Sequence, residues 1–178
     1  MCPVLLVRGE EMKSVLAILA TTPEKIRREV ASMSPREIRT RPLPGKWSVQ
    51  EILAHIEDIE DVGFRDRIEA ILSADHPLLL SIDQEKRVTE KRYVRTDPSR
   101  TLGSWARKRR ANLKWLKSLR PAELKRRGTH EKIGEMSAEE FIYEWAFHDL
   151  GHLKQILEVK RYALYPRIGN MRNYYKLA

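Results

Sequence analysis

The sequence predicts an all-α protein built as a four-helix bundle, and three observations carry this. Four long segments place apolar residues at helical spacing, i, i+3, i+4 and i+7. Three of them open on a helix-start signal. Glycine and proline are sparse, at 8 and 9 of 178 residues.

The first segment is Glu10–Ala20, with Met12, Val15, Leu16 and Leu19 in phase. Thr22 and Pro23 then read as a cap and a first helical position, where the helix restarts or continues. "SPREI" is a short further turn, and "RTRPLPGKW" is a loop that breaks the helix. The second segment starts at the Ser48–Glu51 capping box and runs to about Ser73, with Ile52, Ile56, Ile59 and Gly63 on one stripe. "ADHPLLLSIDQEKRV" reads as a connection. Asp97-Pro98 starts the third segment, which Leu102, Trp105, Leu113, Leu116 and Leu119 mark and Pro121 stops. "PAELKRRGTHEKIGEMS" reads as a turn and loop. Ser137 and Glu140 form a second capping box, and the fourth segment runs from about Ala138 to Tyr162. The tail "RIGNMRNYYKLA" carries apolar and aromatic residues and is expected to pack back on the body. With no repeat and no low-complexity stretch, one domain over residues 1–178 is expected.

Composition narrows the function classes. Hydrophobic residues are 42% and charged residues 33%, a globular balance. No apolar run approaches the roughly 18 residues a spanning helix needs. "MCPVLLVRGEEMK" lacks a basic n-region and a full apolar core, so no secretory signal is expected and the default compartment is cytoplasmic. Cys2 is the single cysteine, which excludes an intrachain disulfide and a cysteine-based zinc site. Its place near the terminus argues against a nucleophilic role. The net charge of +9 permits binding of nucleic acid or anions without establishing it. The densest basic runs, "RKRR" (107–110) and "KRR" (125–127), read as solvated faces. There is no P-loop, no nucleophile elbow and no RNP-like motif.

Five histidines remain: His55, His76, His130, His148 and His152. His148 and His152 are one helical turn apart and share a face with Trp145 and Ile156. Two neutral imidazoles on a buried face need partners for four ring nitrogens. They are either hydrogen-bonded core histidines or a metal pair. His55 lies between Ile52 and Ile59 on the apolar edge of its own helix. Three inward histidines from two helices suit a three-ligand site with an open position for water. His76, before a proline, reads as a surface residue. His130 lies at the mouth of the site or caps a turn. Glu51 and Glu144, each one turn before a histidine, are candidates for the metal's surroundings, although a solvated position is the simpler reading for both. Asp149 is about 100° round the helix from His148, a poor ligand that can still pair with an arginine. Gln155, three residues after His152, is placed to hydrogen-bond within the bundle.

The stretches "PGKWSVQEILAHIEDIE" (44–60) and "GTHEKIGEMSAEEFIYEWAFHDLGHLKQI" (128–156) resemble the second- and fourth-helix segments of the DinB-like, or YfiT-like, superfamily of metalloenzymes. "ATTPEKIRREVASMSPREIRTRP" and "RIGNMRNYY" fit the same pattern, so the likeness covers nearly the whole chain. The resemblance implies an up-down-down-up bundle. It also implies a divalent metal, nickel or zinc, bound by three histidines that map onto His55, His148 and His152. One departure is Glu131, where related sequences commonly have proline after the histidine.

The superfamily includes bacillithiol transferases and a mycothiol-dependent isomerase, so the resemblance implies a metal-dependent enzyme of thiol S-transferase or hydrolase type. A low-molecular-weight thiol or other small substrate is the expected partner, and a homodimer is allowed by the pattern. A non-catalytic metal-binding stress or interaction module is the alternative, which predicts no room for substrate at the site. A nucleic-acid-binding helical protein is the third reading, which predicts basic residues gathered on one face.

Overall fold

The computed structural model describes the backbone of residues 3–177 and the side chains of residues 9–177. Cys2 lies outside the described residues. The first helix, α1, is continuous over Pro3–Ala31 and does not restart at Thr22. Pro23 is tolerated inside it for a specific reason. Its missing N–H leaves the Leu19 carbonyl without the usual i→i−4 donor. The Arg109 Nη1 group donates to that oxygen at 2.9 Å instead. Ser34 and Glu37 form a capping box that starts the short α2, Pro35–Arg39.

The Ser48–Glu51 box opens α3, Val49–Ile59, as the sequence predicts. The helical rod then passes through a π-turn, Glu60–Arg65, into α4, Asp66–Ser73. Sequence periodicity does not show this turn. Its extra residue rotates α4 by about 100° relative to α3. The inward stripe of Ile52, Ile56 and Ile59 therefore continues at Phe64, Ile68 and Ile71, one position later than an unbroken helix would place it. Gly63 is required here, because a Cβ at that position would lie 2.3 Å from Ile59 Cγ2.

The connection after α4 contains β1 (Leu78–Leu79) and α5 (Gln84–Glu90). Asp97 then caps α6, Pro98–Leu116, and α7 (Pro121–Leu124) comes next. The segment expected to be a plain loop is a hairpin of β2 (Arg127–His130) and β3 (Gly134–Ser137). β1 pairs parallel to β2, giving a three-stranded sheet in the order β1-β2-β3. These strands are too short to carry an alternating apolar signal, so only long-range pairing makes them. Glu131 joins the hairpin to the β1 segment. Its N–H donates to Leu79 O at 3.0 Å, a bond a proline could not make, and its Oε1 accepts from Ser81 N.

The last long helix, α8, spans Ala138–Leu164 behind the Ser137–Glu140 box. The tail does not pack back as expected. It forms two 3₁₀ turns, Tyr165–Arg167 and Gly169–Asn173, and folds on itself, with the Tyr165 hydroxyl donating to the carbonyls of Arg172 and Tyr175. Tyr174 and Tyr175 stay exposed against each other.

Contacts fix the topology. Glu60 meets Arg109, and further along Arg65 meets Trp115, so the α3–α4 rod runs parallel to α6. His55 meets His152 while Phe64 stacks on Trp145, so α8 is antiparallel to that rod. Thr22 reaches Asp149 and Glu29 reaches Lys160, so α1 is parallel to α8. This is an up-down-down-up four-helix bundle. Its core is split. One apolar cluster holds Leu19, Phe64, Ile68, Leu116, Phe141 and Trp145. The other holds Ile26, Val49, Ile52, Trp105 and Ile156. On α1, α6 and α8 the buried residues between the two clusters are polar: Thr22, Arg109 and Asn112, and Asp149 and His152 with the partly buried His148; on the α3–α4 rod His55 and Glu60 flank Ile56 and Ile59, where the clusters meet.

Candidate metal centre

That polar layer contains two constellations side by side. In the first, His55 from α3 and His148 and His152 from α8 bring one nitrogen each within 4.8 Å of the others. The Nε2 of His148 is 3.2 Å from Nε2 of His55 and 3.0 Å from Nε2 of His152. Nδ1 of His152 faces Oε1 of Gln155 at 2.9 Å. That acceptor holds the His152 proton on Nδ1 and leaves its Nε2 a bare lone pair. Nδ1 of His55 is buried with no partner among the described residues.

Protons alone cannot satisfy this arrangement. If His148 Nε2 donates to both neighbours, His55 must carry its proton on the orphaned Nδ1. If His55 donates to His148, the lone pairs of His148 and His152 face each other. A divalent cation resolves the conflict by accepting all three lone pairs. Ligands about 2.0–2.1 Å from a metal at tetrahedral or octahedral angles lie about 2.9–3.4 Å apart, and both separations from His148, 3.2 and 3.0 Å, fall in that range, with the third pair within 4.8 Å. The three imidazoles therefore fit a metal, and Gln155 acts as the partner that orients one of them.

The surroundings keep these rings neutral. Burial, reinforced by His152, lowers His55 to about 3, and burial with both neighbouring histidines lowers His148 to about 2. Burial lowers His152 as well. Trp47 packs on His55 with ring centroids 4.9 Å apart, and Phe64 meets His148 edge-on at 5.2 Å. An unfolded histidine takes up a proton below about pH 6.5, whereas these remain neutral well below it. The unfolded chain then binds more protons, so the metal-free fold loses stability as pH falls from 6.5 towards 3. The expected loss is up to about 2 kcal/mol per histidine by pH 5. Urea unfolding with a chelator at pH 7.5 and 5.0 checks this, and the difference should shrink in His148→Leu.

The second constellation is a buried ion network. "RKRR" is not wholly a solvated face, because Arg109 is 1% exposed. Its guanidinium donates to both oxygens of Glu60 on the π-turn and both oxygens of Asp149 on α8, besides Leu19 O on α1. One side chain of α6 thus ties all three other long helices at the level of the histidines. Glu60 also accepts from the indole N–H groups of Trp105 and Trp145 and from Asn112. Burial pushes Asp149 up to about 6 despite the adjacent guanidinium. Asp149 pairs with an arginine as its position on the helix allows. Glu60 is a position that sequence reasoning missed, and a carboxylate in phase with the apolar stripe was its only signal.

The other candidates take different places. Glu51 is 1% exposed rather than solvated, closing its capping box and pairing with Arg41. Glu144 is half-buried, and burial raises its pKa, with Arg67 opposing. His130 lies in β2, where its Nδ1 accepts from Lys132 N and its Nε2 is 3.3 Å from Arg67. It caps a turn and is no part of the three-histidine cluster. His76 is exposed, 3.1 Å from Glu135.

The histidine cluster opens into a cavity of about 690 Å³. Trp47, Tyr162, Lys46, Lys154 and Glu158 are among the residues that line it. Replacing Gln155, also on its wall, with leucine should weaken metal binding about 10–100-fold, as outer partners of ligating histidines generally do. A competition titration against a chromogenic chelator measures this; unchanged affinity would remove Gln155 from the site.

The family model described as the DinB superfamily matches residues 18–156 of the chain. Among solved structures, YfiT from Bacillus subtilis matches with a TM-score of 0.79 at 21% identity, over 85% of this chain and 87% of that one. It is described as a probable metal-dependent hydrolase with an unusual four-helix bundle topology. No curated protein matches.

Proposed function

The chain belongs to the DinB superfamily, and on that basis we propose that it is a divalent-metal-dependent hydrolase of a small substrate, with His55, His148 and His152 as the metal ligands. The observation that carries this is the cavity of about 690 Å³ at the three histidines, since a purely structural metal site would be closed. The description of YfiT supports the choice of hydrolysis.

A bound zinc or nickel would lower the pKa of a coordinated water towards ~7 and polarise a substrate carbonyl. The chain's own residues do the rest. Gln155 holds His152 in the tautomer that presents Nε2. Trp47 and Phe64 fix the other two rings by packing. Lys46 and Lys154 place positive charge on the cavity wall, favouring a substrate with an anionic group. Glu158 also lines the cavity, with its Oε1 accepting from Arg161.

The test is elemental mass spectrometry of untagged protein, followed by a panel of small esters and amides with and without chelator. About one zinc or nickel per chain is expected, with turnover lost on chelation and in His55→Ala. A metal-free protein after incubation with zinc, nickel and manganese would overturn the reading. Turnover that requires a low-molecular-weight thiol would reassign the chemistry to thiol transfer.

A further inference from the structure

The net charge is distributed very unevenly. Residues 100–127 hold eleven lysines and arginines against one acidic residue, Glu123. The rest of the chain has 23 basic and 24 acidic residues, so this one segment accounts for the whole positive charge. Folding sorts these residues further. Arg109 turns into the core, and Lys108 turns inward to Glu57 and Asp61. Arg120 is paired with Glu123, and Arg127 with Glu135 and Glu140.

Along α6 and its C-cap, Arg100, Arg107, Arg110, Lys114 and Lys117 remain. All five are exposed and have no ion-pair partner among the described residues. At 100° per residue they fall within an arc of about 100°, opposite the buried Trp105, Arg109, Asn112 and Leu116. They form a ridge about 25 Å long. α6 itself carries no acidic residue to neutralise it. The nearest carboxylate on the α1 flank, Glu24, is taken by Arg27 and Arg28. Glu57 and Asp61 on the α3 flank are taken by Lys108.

We propose that this outer face of α6 binds the phosphate backbone of double-helical nucleic acid. Three observations select that partner among polyanions. A ridge of about 25 Å spans about seven base pairs of duplex, whose phosphates recur at about one charge per 1.7 Å of axis. No large hydrophobic residue is exposed between residues 98 and 127, so the face has nothing to insert into a lipid surface. No exposed aromatic lies on it, so it lacks the stacking platform that single strands use. Binding is electrostatic and sequence-independent, and it is separate from the histidine site on the bundle's interior.

The experiment is fluorescence anisotropy of a labelled 20-base-pair DNA duplex against the full chain, from 50 to 200 mM salt. With four or five phosphate contacts, the slope of log K against log salt should be about −4, a loss of roughly 10²-fold over that range. The variant Arg107→Gln/Arg110→Gln/Lys114→Gln/Lys117→Gln should weaken binding at least about tenfold at 50 mM salt and flatten the slope. All four positions are exposed, so folding and zinc uptake should be unchanged, and circular dichroism and metal titration verify this. A matched control, Lys25→Gln/Arg36→Gln/Arg39→Gln/Lys91→Gln, should bind as the parent does. Equal losses in both variants would overturn the proposal, since the attraction would then be diffuse charge. No binding at 50 mM salt would overturn it too. So would binding to vesicles containing phosphatidylserine in place of duplex, which would mark the face as a membrane contact.

Discussion

Replacing Arg109 with leucine is expected to cost about 3–5 kcal/mol of folding stability, the largest effect of any single change in this chain. The change strands Glu60 and Asp149, two carboxylates that are 1% and 2% exposed, with no cation between them. It also removes the donor to Leu19 O, the carbonyl that Pro23 leaves open. Domains of this size are stable by about 5–15 kcal/mol, so the variant should be marginal at 37 °C. Arg109→Lys should fall between leucine and the parent. It keeps the charge, but three donors on one nitrogen cannot reach both carboxylates and the carbonyl as the planar guanidinium does. Guanidinium unfolding of the three proteins measures this. A leucine variant within about 1 kcal/mol of the parent would mean that the network contributes no net stability.

The second large effect is metal-linked stability. Zinc at one hundred times its dissociation constant should raise the unfolding free energy by about 2.7 kcal/mol, by mass action alone. His55→Ala should abolish that gain, because His148 and His152, on α8, then lack the ligand that α3 contributes. His130→Ala should retain it, since His130 belongs to the β2 turn and contacts Arg67. Thermal melts with and without zinc for the three proteins separate the possibilities. A full zinc-dependent gain in His55→Ala would place the metal elsewhere.

Much of the fold is legible in the sequence because it rests on local physics. The capping boxes at Ser48 and Ser137 and the Asp97 cap start three helices where the residues say they must. The 3.6-residue period of the apolar positions gives the bundle itself. The histidine spacing on α8 and the in-phase His55 likewise depend only on helix geometry, and the structure brings all three together. What escaped was set by partners distant in the chain. Thr22-Pro23 leaves a restart or a continuation open, and α1 continues because a guanidinium 86 positions later caps the exposed carbonyl. Arg109 sits inside "RKRR" and reads as solvent-facing; only Glu60 and Asp149 across the bundle make its burial tolerable.

The helical elements, their inward faces and the three imidazoles were thus written in the chain alone, since they depend on periodicities of one or two turns. Other features needed the folded bundle: the π-turn that brings Glu60 inward, the hairpin pairing with β1, the convergence of three Nε2 atoms and the separation of Arg109 from its basic neighbours. Each of these balances a local cost, whether a distorted turn, an unpaired strand edge or a buried charge, against a contact that forms only when distant segments meet.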